Sequence, residues 1–187
     1  MKIGFVVFSG MTALDFVGIF DPLTRLKTMK ILENLSWETC AVETPVADAA
    51  GLLLIPSAVG KPLSEFDILV VPGGPATRKL IHDLSFIGWM KTSEAVPLKT
   101  SVCSGALLLG AAGFLKGKKA ATHPAAREEL RPYCSEILDQ RIVDEGEVIT
   151  CGGVTAGIDL GLYLCGKLAG MEAKETIKRQ MDYHGLW

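Results

Sequence analysis

Short apolar runs alternate with amphipathic stretches along this chain, and no other feature restricts its fold as much. Residues 3–8, residues 68–71 and residues 99–103 are brief, rich in Val and Ile, and end in turn residues. Runs of that kind suit strands buried on both faces of a parallel sheet. Between them, Leu14, Phe16, Val17, Phe20, Leu23 and Leu26 recur at helical spacing, and residues 77–82 and 86–92 also read as helices. Strand alternating with helix is the α/β signature. Residues 37–42 are expected to form a second strand and residues 52–55 a third. Residues 106–115 read as a helix, and residues 124–130 as a short one with Pro124 at its start. Residues 141–144 and 148–151 flank Glu145-Gly146-Glu147, which predicts a hairpin turned by glycine. Residues 154–168 and 173–181 form the closing helices, whose apolar faces suit either internal packing or a subunit interface.

At 187 residues, 49% of them hydrophobic, the chain has enough apolar content for one core and little length for two. A single domain over residues 1–187 is therefore expected. A net charge of −2 gives no footprint for nucleic acid or for an anionic membrane. Lys116, Lys118 and Lys119 surround Gly117 and read as a solvated turn. No apolar run approaches the roughly 20 residues of a membrane span. The five cysteines, odd in number and without a C-x-x-C pair, argue against a disulfide framework. With no signal segment before the first strand, the expected location is cytoplasmic, with thiols kept reduced.

Chemistry concentrates at Ser101-Val102-Cys103-Ser104-Gly105-Ala106, where a strand ends in a cysteine as a small-residue helix begins. A sharp turn there pushes the side chain out at the sheet edge, beside the free amides of the new helix, and those donors favour the thiolate. Cys103 is thus a candidate nucleophile; the plain alternative is a buried cysteine packing as a small hydrophobe. Gly73 and Gly74, beyond the end of another strand, let backbone amides approach a ligand closely, and they are candidate substrate-binding residues in an oxyanion-hole-like site with the Ser104 amide. They equally suit a simple turn. Asp15 either complements a helix dipole or sits beside Cys103 as a proton donor and acceptor. Asp21, before Pro22, reads as a surface residue. His123 is a possible accessory to the cysteine or a histidine hydrogen-bonding at a helix start. No set of His, Cys, Asp and Glu has zinc spacing, so no metal site is expected.

Taken together and in order, Val70-Val71-Pro72-Gly73-Gly74, Ser101-Val102-Cys103-Ser104-Gly105, Ala121-Thr122-His123-Pro124 and Gly153-Val154-Thr155-Ala156-Gly157-Ile158-Asp159 resemble the DJ-1/PfpI superfamily of class I glutamine-amidotransferase-like proteins. Residues 12–18, residues 155–159 and Arg179-Gln180-Met181-Asp182-Tyr183 are most similar to its isocyanide hydratase branch, which also includes ligand-sensing domains of AraC-type regulators. The resemblance implies a flavodoxin-like three-layer sandwich with a mostly parallel central sheet, a nucleophile-elbow cysteine and, usually, a homodimer. It places Asp15 where the hydratases carry aspartate and Ser104 where they usually carry threonine. Thr122-His123-Pro124 is closer to the DJ-1 pattern.

The activity implied is cofactor-independent hydration of an isocyanide to an N-substituted formamide by Cys103, Asp15 and Ser104, with no metal. Two other expectations share the cysteine. One is glyoxalase-like attack on an α-oxoaldehyde, and the other a non-enzymatic redox or small-ligand sensor whose thiolate oxidises to sulfinic acid. In each case the partner is a small electrophile, not nucleic acid or membrane.

Overall fold

The computed structural model describes residues 1–185. In chain order the elements are β1 (Lys2–Val6), α1 (Ala13–Thr28), β2 (Ser36–Ala41), β3 (Val46–Ala47), β4 (Leu53–Leu54), β5 (Ala58–Val59), β6 (Ile68–Val71), α2 (Thr77–Leu80), α3 (Leu84–Lys91), β7 (Leu98–Ser101) and α4 (Gly105–Ala111). They continue with β8 (Lys119–Ala120), a 3₁₀ turn (Pro124–Ala126), α5 (Arg127–Leu130), β9 (Glu136–Ile137), β10 (Ile142–Asp144), β11 (Val148–Cys151), α6 (Ala156–Ala169) and α7 (Met171–Gln180). The main sheet runs β10-β11-β7-β6-β1-β2-β5 and is parallel throughout except for the antiparallel β10–β11 hairpin at one edge.

The central strands are buried on both faces, as their unbroken apolar runs require: every residue of β6 is buried, as are Ile3, Phe5 and Val6 of β1. Helices α1, α6 and α7 pack together as one outer layer, and α2 to α5 group around α4 as the other. The result is a three-layer, flavodoxin-like sandwich. Phe5 meets Phe16 and Phe20 of α1 edge-on, with ring centroids 5.9 and 5.0 Å apart, so aromatic packing fixes that helix against the first strand.

The strand expected at residues 52–55 is not in this sheet. Only Leu53–Leu54 is extended, and it pairs antiparallel with Val46–Ala47 in a separate two-stranded ribbon. The Asp48 carboxylate accepts from the Ala50 and Leu52 amides at 2.8 Å each and turns the chain there. Leu53 and Ile55 are left 67% and 81% exposed, so the apolar run marks a surface and not a core strand. The place beside β2 belongs to β5. The helix expected at residues 124–130 begins as a 3₁₀ turn and becomes α-helical only at Arg127. Asp21 lies within α1, where it pairs with Arg25 one turn on, at 2.8 Å.

Among the described residues, no helix is long and apolar enough to cross a membrane. Because β6 lies between β1 and β7, the loops after all three strands open on the same edge of the sheet. That carboxyl edge is where open α/β sheets bind ligands.

Candidate active site

Cys103 takes a φ of +59°, a left-handed conformation uncommon for any residue with a Cβ, directly between β7 and α4. Neighbouring backbone holds it there. The Val102 and Cys103 amides donate to the Val71 and Gly152 carbonyls, each at 3.0 Å, and Thr122 Oγ1 donates to the Cys103 carbonyl at 2.9 Å. Strain of this kind persists only where surroundings over-determine it.

Asp15 reaches the cysteine because the Thr12 amide donates to the Gly73 carbonyl at 2.9 Å, which docks the start of α1 on the loop after β6. One residue past the first helical turn's midpoint, the Asp15 carboxyl is fully buried and faces the Cys103 thiol and the Gly73 amide. Among the described residues neither of its oxygens makes a well-formed hydrogen bond. Burial therefore pushes its pKa up, to about 6, against the smaller opposing effects of the thiol and the amide.

The sulfur departs from the expectation of a ready thiolate. The Val154 and Ser104 amides do pull the Cys103 pKa down, but burial first and the Asp15 charge second push it up, to about 11. A sequence can place helix amides near a thiol without showing how much water is removed from it. At neutral pH the pair therefore rests as a protonated thiol beside a largely ionised carboxylate. Alkylation of Cys103 by iodoacetamide is accordingly expected to accelerate with pH well past neutrality, and Asp15→Asn to move that profile to lower pH by removing the like charge. Peptide mapping across a pH series checks this; an unmoved profile contradicts it. Cys40 and Cys165 are pushed up to about 12 and Cys151 well above its ordinary value, in each case chiefly by burial, so Cys103 is expected to label ahead of these three. The partly exposed Cys134 is its competitor.

Gly73 and Gly74, expected to bind substrate in an oxyanion-type site, have amides that face side chains of the site. The Gly74 amide donates to Ser104 Oγ at 2.9 Å and is thus engaged by a side chain of the site, while the Gly73 amide faces the Asp15 carboxyl. Gly74 lines the cavity over the cysteine, whereas Gly73 lies beneath it. A Cβ on Gly73 would sit 2.6 Å from the Ser104 amide nitrogen, 2.7 Å from Ser104 Oγ and 2.8 Å from Asp15 Oδ2. Gly73→Ala is thus expected to cost roughly 1–3 kcal/mol in a denaturant melt and to disturb Cys103 alkylation; an unperturbed variant would mean the loop is looser than this geometry.

Ser104 is buried, and its hydroxyl lies 3.2 Å from the Gly74 carbonyl and 3.1 Å from Thr77 Oγ1, which itself donates to Gly74 at 2.8 Å. It makes no hydrogen bond to Asp15, so its hydroxyl fixes the Gly74 turn and does not orient the carboxyl. Thr77 is fully buried, and the sequence signals its part only by a hydroxyl residue three places after Gly74. His123 lines the same cavity but forms no hydrogen bond with the cysteine. Its Nδ1 accepts from the Ala125 amide at 3.1 Å, the helix-start alternative.

The late motif residues 155–159 and the motif ending at Tyr183 converge behind the sulfur. Asp159, 1% exposed, accepts from Arg141 Nε at 2.6 Å and from Tyr183 Oη at 2.7 Å, while Arg141 Nη2 donates to Thr155 Oγ1 at 3.1 Å. The Arg141 carbonyl also accepts from the Gly152 amide at 3.0 Å. Arg141 therefore brackets the turn that brings the Val154 amide to Cys103, and the buried charge of Asp159 is compensated from two sides.

The sandwich and its strained elbow cysteine define an α/β protein of the nucleophile-elbow type. Residues 1–166 match the sequence model of the DJ-1/PfpI family, and the chain belongs to that family. It is 34% identical over 184 residues to isonitrile hydratase from Pseudomonas putida, covering 98% of this chain and 78% of that protein. It is 26% identical to Protein DJ-1alpha from Drosophila melanogaster, over 95% of this chain and 80% of that one. A crystal structure of a ThiJ/PfpI family protein from Pseudomonas syringae superposes with a TM-score of 0.88 at 33% identity, covering 98% of this chain and 75% of its own.

Proposed function

We propose that this protein is a cysteine-dependent hydro-lyase that adds water to a small isocyanide and releases an N-substituted formamide. The observation that carries this reading is the buried Asp15 carboxyl facing the elbow thiol of Cys103, with a pKa raised to about 6. A group titrating near neutrality can both take and return a proton. The similarity to isonitrile hydratase over 98% of the chain supports the substrate class.

In the first step the Asp15 carboxylate takes the Cys103 proton as the sulfur bonds to the terminal isocyanide carbon, and the same proton is returned to that carbon. The product is a thioimidate, R–N=CH–S–Cys103, with no leaving group. In the second step Asp15 takes a proton from water as its oxygen adds to the thioimidate carbon, and the nitrogen is protonated. Collapse of the tetrahedral species breaks the C–S bond, returns a proton to sulfur and frees R–NH–CHO. Isocyanide and water are the only reagents consumed. Ser104, Thr77 and Gly74 keep the loop in place so that the sulfur and carboxyl stay aligned.

The cavity above Cys103, about 240 Å³ and open on one side, accommodates a compact substrate. Purified protein incubated with short alkyl and with aryl isocyanides, followed by chromatography for the formamide, is the test. Formamide formation is expected for the compact alkyl isocyanides; its absence across the series, with methylglyoxal consumed instead, overturns the reading in favour of glyoxalase-like chemistry.

A further inference from the structure

We propose that the cavity over Cys103 selects electrophiles bearing a carboxylate, held at its mouth by Arg78. Among the side chains lining the cavity there is one permanent cation, Arg78, and no carboxylate, since Asp15 is buried beneath the thiol. The guanidinium is held by two neighbours. Arg78 Nε donates to Glu129 Oε1 at 2.8 Å and Nη2 to the Ala125 carbonyl at 3.2 Å, while Glu129 is not part of the cavity wall. Both members of that ion pair are about two-fifths exposed, with side-chain accessibilities of 42% and 40%. Glu129 orients the guanidinium, and because an exposed pair contributes little energy, a ligand carboxylate can share the guanidinium with it.

Nη1 of Arg78 has no partner among the described residues. Because His123 Nδ1 accepts from the Ala125 amide, the neutral ring carries its proton on Nε2, which is likewise without a partner there. Two donor nitrogens thus remain on residues lining a cavity whose remaining surface includes the apolar Pro75, Ala126 and Val154. A carboxylate at the end of a short apolar stem matches this arrangement: the acid meets Arg78, and the electrophilic carbon meets the sulfur. Within the proposed hydration, on which the isocyanide part of this assignment rests, the substrate class is short isocyano acids.

The test separates the anion site from the hydratase reading by using two alkylating agents that differ only in charge. Rates of Cys103 modification by iodoacetate and by iodoacetamide are measured in the wild type and in Arg78→Met, which keeps the apolar stem. Loss of a charge-assisted hydrogen bond is expected to slow iodoacetate by about tenfold or more, with iodoacetamide changing by less than about twofold. Arg78→Lys is expected to fall between the two, and added salt to narrow the difference in the wild type. In turnover, isocyanoacetate is expected to have a lower KM than its methyl ester, an advantage lost in Arg78→Met. A reagent ratio that Arg78→Met leaves unchanged overturns the proposal. If neither isocyanide is turned over but the ratio shifts as expected, the anion site stands and the hydratase reading falls.

Discussion

Cys103→Ala is expected to lose isocyanide turnover by about 10⁴-fold or more while keeping the fold. Both residues carry a Cβ, so the strained φ of +59° is equally accommodated, and the hydrogen bonds to Gly152 and from Thr122 that hold the elbow use only the backbone amide and carbonyl of residue 103. What disappears is the one sulfur that faces Asp15. Circular dichroism and a thermal melt establish that the variant is folded, and chromatography of the formamide gives the rate. A variant retaining more than a few per cent of wild-type turnover would mean that water attacks the isocyanide directly with Asp15 as base, and the covalent route would be wrong.

Asp15→Asn is expected to move activity and stability in opposite directions. Turnover falls by roughly 10²–10⁴-fold, because an amide cannot carry the proton from sulfur to carbon. Stability at pH 8 rises, because an ionised carboxyl without well-formed hydrogen bonds is being held away from water. The native pKa of about 6 exceeds the ordinary 3.8, so between those values the folded state binds more protons than the unfolded one. Wild-type stability therefore falls as pH rises through that window and levels off above it. Two units correspond to about 3 kcal/mol, which sets the gain expected for the asparagine variant at pH 8. The gain should shrink to roughly a few tenths of a kcal/mol at pH 3.5, below both values, where Asp15 is mostly protonated in either state. Denaturant melts at pH 3.5 and pH 8 measure the difference; a variant no more stable than the wild type at pH 8 would show that the ionised carboxyl is comfortably solvated.

The strand pattern and the elbow were legible in the residues because both are local. The unbroken apolar run of β6 before Gly-Gly and the Cys-Ser-Gly turn after β7 give the strand ends, and β6 and β7 are indeed neighbours. Residues 52–55 misled because an apolar run records hydrophobicity and not what covers it, and here the turn at Asp48 carries Leu53 and Ile55 out to the surface. The position of Asp15 beside Cys103 was legible as an option, since an acid flanked by Leu14 and Phe16 is unusual for an exposed helix start. Its consequence was not. Whether a thiol is activated depends on the balance between the donating Val154 and Ser104 amides, the loss of water around the sulfur and the Asp15 charge, which come from separate parts of the chain. The same limit concealed the partners of Gly73 and Gly74. Their amides reach Asp15 and Ser104 only because three separate loops meet at one sheet edge.

The central claim is a covalent bond between Cys103 and the intact isocyanide, and mass spectrometry of a single turnover tests it most directly. Enzyme in excess over isocyanide is quenched in acid on the millisecond-to-second scale, and the protein and its peptides are weighed. The expected result is a transient adduct equal to the whole isocyanide mass, with no atom lost, confined to the peptide holding Cys103 and decaying as formamide appears. Formamide accumulating with no adduct on Cys103 at any time, or with the adduct on another thiol, would contradict the account.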